Sequence, residues 1–235
     1  MFRFKQFTIE QDRCAMKVGT DGVVLGAWTP LPQTLYSVLD IGTGTGLIAL
    51  MLAQRSFAEQ IDALEIDDDA YEQAVGNFEN SPWSDRLFCY HAGLDEFVDE
   101  IEDVYDLIVA NPPFYTEDYK TSDEKRDLAR FEFALPFEEL LKAASIFLAE
   151  EGIFSVIIPF KEELHFTELA REKGLFPLKT TRVKGHPTAE IKRSLLAFSR
   201  KNTPDTVIDE LILEVERHQY TPEFTELVKD FYLKL

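Results

Sequence analysis

Only two cysteines, Cys14 and Cys89, occur in 235 residues, far apart and with no C-x-x-C pattern. That scarcity excludes a disulfide framework and a thiolate zinc site, and both thiols read as reduced core or near-core residues. Histidine is nearly as rare: His91, His165, His186 and His218 share no ligand spacing, so no metal is expected. Long apolar runs are also missing. The longest, Leu47 to Ala53 and Ile153 to Pro159, fall well short of the roughly 18 to 20 residues that span a bilayer. Met1 to Glu10 alternates aromatic with polar residues and lacks a small-residue cleavage site, so it does not read as a secretion signal, and a cytoplasmic address is expected. With no repeat, low-complexity tract or Gly/Ser linker, one domain is expected over 1–235: an N-terminal strand and helix extension to 34, a core over 35–160, and an antiparallel finish over 161–235.

Cations are in deficit as well, 24 Lys and Arg against 43 Asp and Glu, a net charge of −19. Such a balance argues against a nucleic-acid partner, because phosphate neutralisation normally supplies the nonspecific binding energy. One stretch departs from it. Between Lys179 and Lys201, seven cations (Lys179, Arg182, Lys184, Lys192, Arg193, Arg200 and Lys201) face the single acid Glu190, a local balance of +6. Either this is a polar, charged edge strand, or it is one basic face that steers a polyanion while the acidic body repels it.

What is present in quantity is apolar residue, 45% of the chain, arranged in alternating strand and helix patterns. Strands are expected at Tyr36 to Ile41, Gln60 to Ile66, Leu87 to His91, Tyr105 to Ala110 and Ile153 to Ile158. Helices are expected at Leu47 to Arg55, Asp68 to Asn80, Pro136 to Ala149 and Phe160 to Lys173. Alternation of this kind predicts an α/β fold, a doubly wound, mostly parallel seven-stranded sheet with ligand sites beyond the carboxyl ends of its strands. Leu178 to Lys184, Leu195 to Arg200 and Ile208 to Val215 read as closing strands that give the sheet an antiparallel end. The tail from Pro222 carries an apolar stripe suited to a docked helix, and the acid run Asp95 to Asp106 reads as a solvated rim.

Two strand ends carry chemistry. The first is Asp40-Ile41-Gly42-Thr43-Gly44-Thr45-Gly46, whose glycines allow a tight turn and close approach of a ligand. A dinucleotide fingerprint would want glycine at 47, which is leucine. The spacing suits instead a cofactor without a pyrophosphate, its methionine and ribose lying against bare backbone. Glu65, at the end of the next strand, can accept both ribose hydroxyl hydrogens, and Ile66 can pack on an adenine face. Helix capping by Asp40 and Glu65 is the plainer alternative.

The second strand end is Asn111-Pro112-Pro113-Phe114. Two prolines hold the chain extended and remove two amide donors, leaving carbonyls available beside the Asn side chain. An amide oxygen and a proline carbonyl can take both hydrogens of a planar amino group and stabilise positive charge developing on its nitrogen. Phe114 offers a face for a base to stack on. A rigid turn after a strand is the structural alternative. Tyr115 to Arg130, with Tyr119, reads as a loop over this site or as a plain surface loop.

On these residues the chain resembles the class I amino-methyltransferases. Lys17 to Gly22, Ser122-Asp123 with Arg126, Ala129-Arg130 and the closing Asp230 to Leu235 make it similar, over nearly its whole length, to the bacterial tRNA1(Val) adenine-N6 methyltransferase family. The resemblance implies S-adenosylmethionine as cofactor and, as acceptor, the exocyclic N6 of the tRNA adenosine just 3′ of the anticodon. It places Thr20 and Asp21 at the methionine end of the cofactor, Asp40, Gly42, Gly44 and Gly46 around it, and Glu65 with Ile66 at its ribose and adenine. Asn111 with Pro112 would hold the target amine, with Pro113 and Phe114 completing the segment, and the local charge makes Lys179, Arg182, Lys184, Lys192 and Arg193 the candidate contacts to the tRNA. No membrane and no obligate protein partner are implied. One departure concerns the cofactor adenine: where relatives place an acid after the third strand, this chain has Ala92-Gly93-Leu94 and then Asp95, so a backbone amide near Gly93 or a shifted Asp95 would serve. Guanine-N2 methylation of ribosomal RNA and glutamine-N5 methylation of protein are the nearest alternatives, and a nicotinamide-dependent oxidoreductase is the alternative of a different class.

Overall fold

The computed structural model describes residues 1–113, 135–203 and 206–234. Its centre is an eight-stranded sheet of order β10-β8-β9-β7-β6-β3-β4-β5. The strands are β3 (Ser37–Ile41), β4 (Gln60–Glu65), β5 (Leu87–His91), β6 (Tyr105–Ala110), β7 (Leu148–Pro159), β8 (Phe176–Lys184), β9 (Ile191–Ser199) and β10 (Val207–Ile212). β5, β4, β3, β6 and β7 pair in parallel, and β9 runs antiparallel to both β7 and β8. The mostly parallel, doubly wound class is as expected, but the strand count is eight rather than seven. The outer strand, β10, lies in the run expected from Ile208 to Val215 and pairs with β8 in parallel, not as part of the antiparallel end. The run expected as one strand from Ile208 to Val215 breaks after Ile212, and Glu214–Glu216 (β11) forms a small hairpin with Gln219–Tyr220 (β12).

The central strands are buried along nearly their whole length, β3 at every position and β4 and β6 at all but one, as sheets covered on both sides must be. Val38, Ile61, Leu107, Val109 and Leu195 face one layer, with α1 (Thr20–Trp28), α2 (Leu47–Arg55), α3 (Asp68–Glu79) and the tail helix Pro222–Val228. Leu39, Ile41, Ile108, Val156 and Leu196 face the other, with α4 (Leu94–Glu100), α5 (Phe137–Phe147) and α6 (Glu163–Glu172). α4 lies where the acid run was expected to be a rim. Phe97 is buried on its inner side, enough to dock a short acidic helix.

An N-terminal hairpin of β1 (Phe2–Arg3) and β2 (Thr8–Ile9) is fastened to the chain's other end. Phe4 forms a bridge with Tyr232, and Lys5 N–H donates to Phe231 C=O at 2.8 Å. No described helix is long and apolar enough to cross a membrane.

Candidate active site

The parallel strands all end on one edge of the sheet, and register decides which residues meet there. Ile41 pairs with Ala110 on one side and with Leu64 on the other. Asn111, Gly42 and Glu65, each the next residue along its strand, therefore form a row at the carboxyl edge.

The turn after β3 exists because of its glycines. Gly42, Gly44 and Gly46 have φ of 70°, 59° and 80°, the left-handed region disfavoured for residues with a Cβ. A Cβ at Gly42 or Gly44 would meet nothing within 4 Å, so the turn borders open space. Gly42 and Thr43 N–H groups donate to Leu64 C=O at 2.9 and 3.0 Å, fastening the turn to β4. Glu65 adds a second fastening. It is almost fully buried, and one oxygen accepts from Gly44 N–H at 2.8 Å while the other accepts from Ile66 and Asp67 N–H at 2.9 and 3.0 Å. Those bonds hold the carboxylate in place and leave about one acceptor position for a ligand, on the oxygen bonded to Gly44, since a carboxylate has about four.

Asp40 is completely buried. One oxygen accepts from Thr43 Oγ1 at 2.6 Å and from Ala49 N–H at 3.1 Å, while Oδ1 meets no partner among the described residues. Burial raises its pKa to about 7; the two hydrogen bonds oppose the shift and the charge of Glu65 adds to it. Asp40 does contact the following helix, as the capping alternative supposed, but the second oxygen is spare.

Asn111 Nδ2 lies 3.8 Å from where a Cβ on Gly22 would stand, and Leu47 Cδ2 lies 3.1 Å from the same point. The amide therefore points toward α1 and the start of α2, beside the glycine turn. Pro112 is buried and Pro113 half-buried. Phe114, the segment from Tyr115 to Arg130 with Tyr119, Ser122, Asp123 and Arg126, and the final Leu235 lie outside the described residues.

Thr20 opens α1, with Gly19 as its N-cap, and Asp21 follows. Asp21 accepts from Arg193 Nε at 2.8 Å, so two residues assigned to different partners meet each other. Near the expected adenine, a Cβ on Gly93 would lie 2.7 Å from Asp95 Oδ1 and 3.6 Å from Ile66 Cδ1. Ile66 is 53% exposed, an apolar surface beside that loop, and Asp95 stands next to it.

The basic stretch does not make one basic face. Lys179 and Arg193 lie on the α1 side of the sheet, with Lys179 Nζ 5.1 Å from the Trp28 ring centroid, while Arg182 lies on the α6 side. Acids distant in sequence answer them: Asp209 lies 3.8 Å from Lys179, Glu163 2.8 Å from Arg182 and Glu210 2.9 Å from Lys184. Lys201 pairs with Glu151, and Arg200 donates to Leu148 and Ser145 carbonyls. Lys192 is exposed and has no ion-pair partner among the described residues.

Two residues near the site had no sequence assignment. Gln73 and Asn77 are buried amides one turn apart on the inner side of α3. Their signal was present, as polar side chains at positions where the helical stripe calls for apolar ones.

A parallel sheet with a glycine turn, a strand-end carboxylate and an Asn-Pro-Pro segment in one row is the architecture of a methyltransferase, and the chain belongs to the methyltransferase small domain family, whose model matches residues 28–167. Within that class it groups with the tRNA1(Val) (adenine(37)-N6)-methyltransferases. The protein of that name from Flavobacterium johnsoniae is 67% identical over 235 residues, all of both chains. The one from Parabacteroides distasonis is 45% identical over all of this chain and 98% of its own. Among solved structures, a predicted O-methyltransferase from Agrobacterium tumefaciens superposes with a TM-score of 0.68 at 18% identity, covering 90% of this chain and 96% of that one, a likeness of fold alone.

Proposed function

We propose that this chain transfers a methyl group from S-adenosylmethionine to the exocyclic N6 of an adenosine in tRNA, at position 37 of tRNA1(Val), as the names of its relatives indicate. The observation that carries the chemistry is the row Asn111–Gly42–Glu65, which sets an amide and a proline carbonyl beside a turn open to a ligand.

The residues fit the cofactor. The open side of Gly42 and Gly44 leaves room for it, the N-terminal turn of α1 at Thr20 and Asp21 borders its methionine end, and Glu65 can take a ribose hydroxyl. Ile66 would cover the adenine, with Asp95 beside Gly93 as acceptor for its amine. When bound, the cofactor supplies a methyl group activated by an adjacent sulfonium.

Asn111 Oδ1 and the Pro112 carbonyl would accept the two N6 hydrogens, turn the nitrogen lone pair toward the methyl, and stabilise the positive charge that grows as the new bond forms. The proton then leaves to solvent, so no general base is needed. Orientation supplies most of the acceleration, and position 37 suits it, since a base already in a single-stranded loop costs least to extrude. A dinucleotide is disfavoured, because Leu47 stands where its turn needs glycine and fills the space beside Gly22. Lys192 is the cation best placed for phosphate; Lys179, Arg182, Lys184 and Arg193 would first have to leave a carboxylate. A tRNA substrate fits a cytoplasmic address.

Mass-spectrometric analysis of nucleosides from total tRNA treated with enzyme and labelled cofactor tests the reading. N6-methyladenosine is expected; label in N2-methylguanosine or in protein would replace the acceptor.

A further inference from the structure

The segment from Glu10 to Gly19 runs between the N-terminal hairpin and α1, and its attachment is unusual. Among the described residues, no backbone–backbone hydrogen bond ties 10–18 to the rest of the protein. Side chains hold it instead, the amides of Gln11, Gln73 and Asn77 together with an exposed ion pair of Arg13 with Glu72. Asn77 Oδ1 accepts from Glu10 N–H at 2.9 Å, and Asn77 Nδ2 donates to Glu10 C=O at 2.9 Å and to Thr45 C=O at 2.8 Å. Gln73 Oε1 accepts from Arg13 N–H at 2.9 Å, and Gln11 Oε1 closes the strap on itself through Val18 N–H at 2.8 Å. Thr45 lies between the glycines of the turn, so one side chain fixes both the strap and the cradle. Cys14 rides on this strap and is buried, and its pKa is pushed up to about 12 by burial first and then by the charges of Glu65 and Asp67. The bonds through Asn77 thus set the strap beside the glycine turn.

We propose that Gln73 and Asn77 are positioning residues that seat the Glu10–Gly19 strap as a wall of the cofactor site, which lifts to admit the nucleoside-bearing cofactor and closes over it. This rests on the assignment of the glycine turn and Glu65 to S-adenosylmethionine. A wall held by a few side-chain bonds and no ladder opens locally at much lower cost than the sheet beside it. Cys14 reports the motion, since a seated thiol resists ionisation and a lifted one returns to ordinary reactivity.

The test uses Cys89→Ser protein, in which Cys14 is the remaining thiol, with iodoacetamide alkylation followed by mass spectrometry. S-adenosylhomocysteine should slow alkylation of Cys14. Asn77→Ala should speed it about tenfold and raise the cofactor KM by a similar factor, with kcat changed far less, as expected for loss of bonds that act on binding alone. Asn77→Asp, which keeps the acceptor for Glu10 N–H, should fall between. Gln73→Ala, which removes a single bond, gives a milder version of the same split should Asn77→Ala fold poorly. A lower melting temperature with unchanged alkylation rate and unchanged KM would make both residues plain structural anchors and overturn the proposal. Calorimetric binding of S-adenosylhomocysteine with no protection of Cys14 would also overturn it. No binding of S-adenosylhomocysteine to the unmutated protein would instead overturn the cofactor reading on which it rests.

Discussion

The two ends of the sheet treat charge in opposite ways. At the β3–β4 edge two buried carboxylates, Asp40 and Glu65, are answered by backbone N–H groups and a threonine hydroxyl, with one oxygen of Asp40 unpartnered and about one acceptor position of Glu65 unused among the described residues. At the β8–β9–β10 end nearly every cation already has a carboxylate. The first region leaves polar capacity unspent, at a cost in stability, whereas the second closes it. Exposed pairs of the second kind contribute little individually, about 0 to 1 kcal/mol each.

The largest effect is expected at Asn111. Asn111→Ala should lower methyl transfer by about a hundredfold or more, with cofactor affinity within a few-fold by calorimetry; a large loss of affinity would move Asn111 from acceptor recognition to cofactor binding. Next is Asp40. Its pKa lies near 7 in the folded state and near 3.8 unfolded, so between those values the native state binds the extra proton. Stability of the ligand-free protein should therefore fall as pH rises through about 4 to 7 and level off above, and Asp40→Asn should flatten that slope in denaturant titrations, an effect on the order of 4 kcal/mol. An unchanged slope would mean that Asp40 is not the group responsible.

Glu65→Gln should weaken S-adenosylhomocysteine binding by about ten- to a hundredfold, the value of charge-assisted hydrogen bonds to the ribose, with the glycine turn largely kept. The smallest effects are expected at the cation-rich end. Lys192→Ala should reduce the salt dependence of tRNA binding by about one unit of slope, whereas Arg182→Ala should leave it unchanged because that guanidinium is engaged with Glu163. Equal changes in the two slopes would show that tRNA draws Arg182 out of its pair and would erase the contrast between the regions.

Most strands and helices were legible because apolar periodicity and turn residues act locally. Leu47–Arg55, Leu87–His91 and Tyr105–Ala110 stand where the pattern placed them. The misses have physical causes. β7 begins at Leu148, immediately after α5, because Leu148 and Ile153 both pair across to β6 through an irregular register that no local signal announces. Ile208 to Val215 looked continuous, yet its ladder stops at Ile212, which pairs with Lys184 where β8 itself ends, and Glu214 then pairs with Tyr220 in the hairpin. α4 was hidden by its acids, since one buried aromatic suffices to dock it.

The candidate site divides along the same line. Sequence alone determined the glycine turn, the strand-end acid and the Asn-Pro-Pro segment, because left-handed φ values, carboxylate chemistry and proline's missing N–H belong to residue types and survive in any context. Tertiary structure alone decided which of these are neighbours, that Gln73 and Asn77 clasp the strap, and that the basic stretch is largely neutralised. Those outcomes depend on strand register and on partners up to 172 residues away, such as Asp21 for Arg193, and distance along a chain carries no record of contact in space.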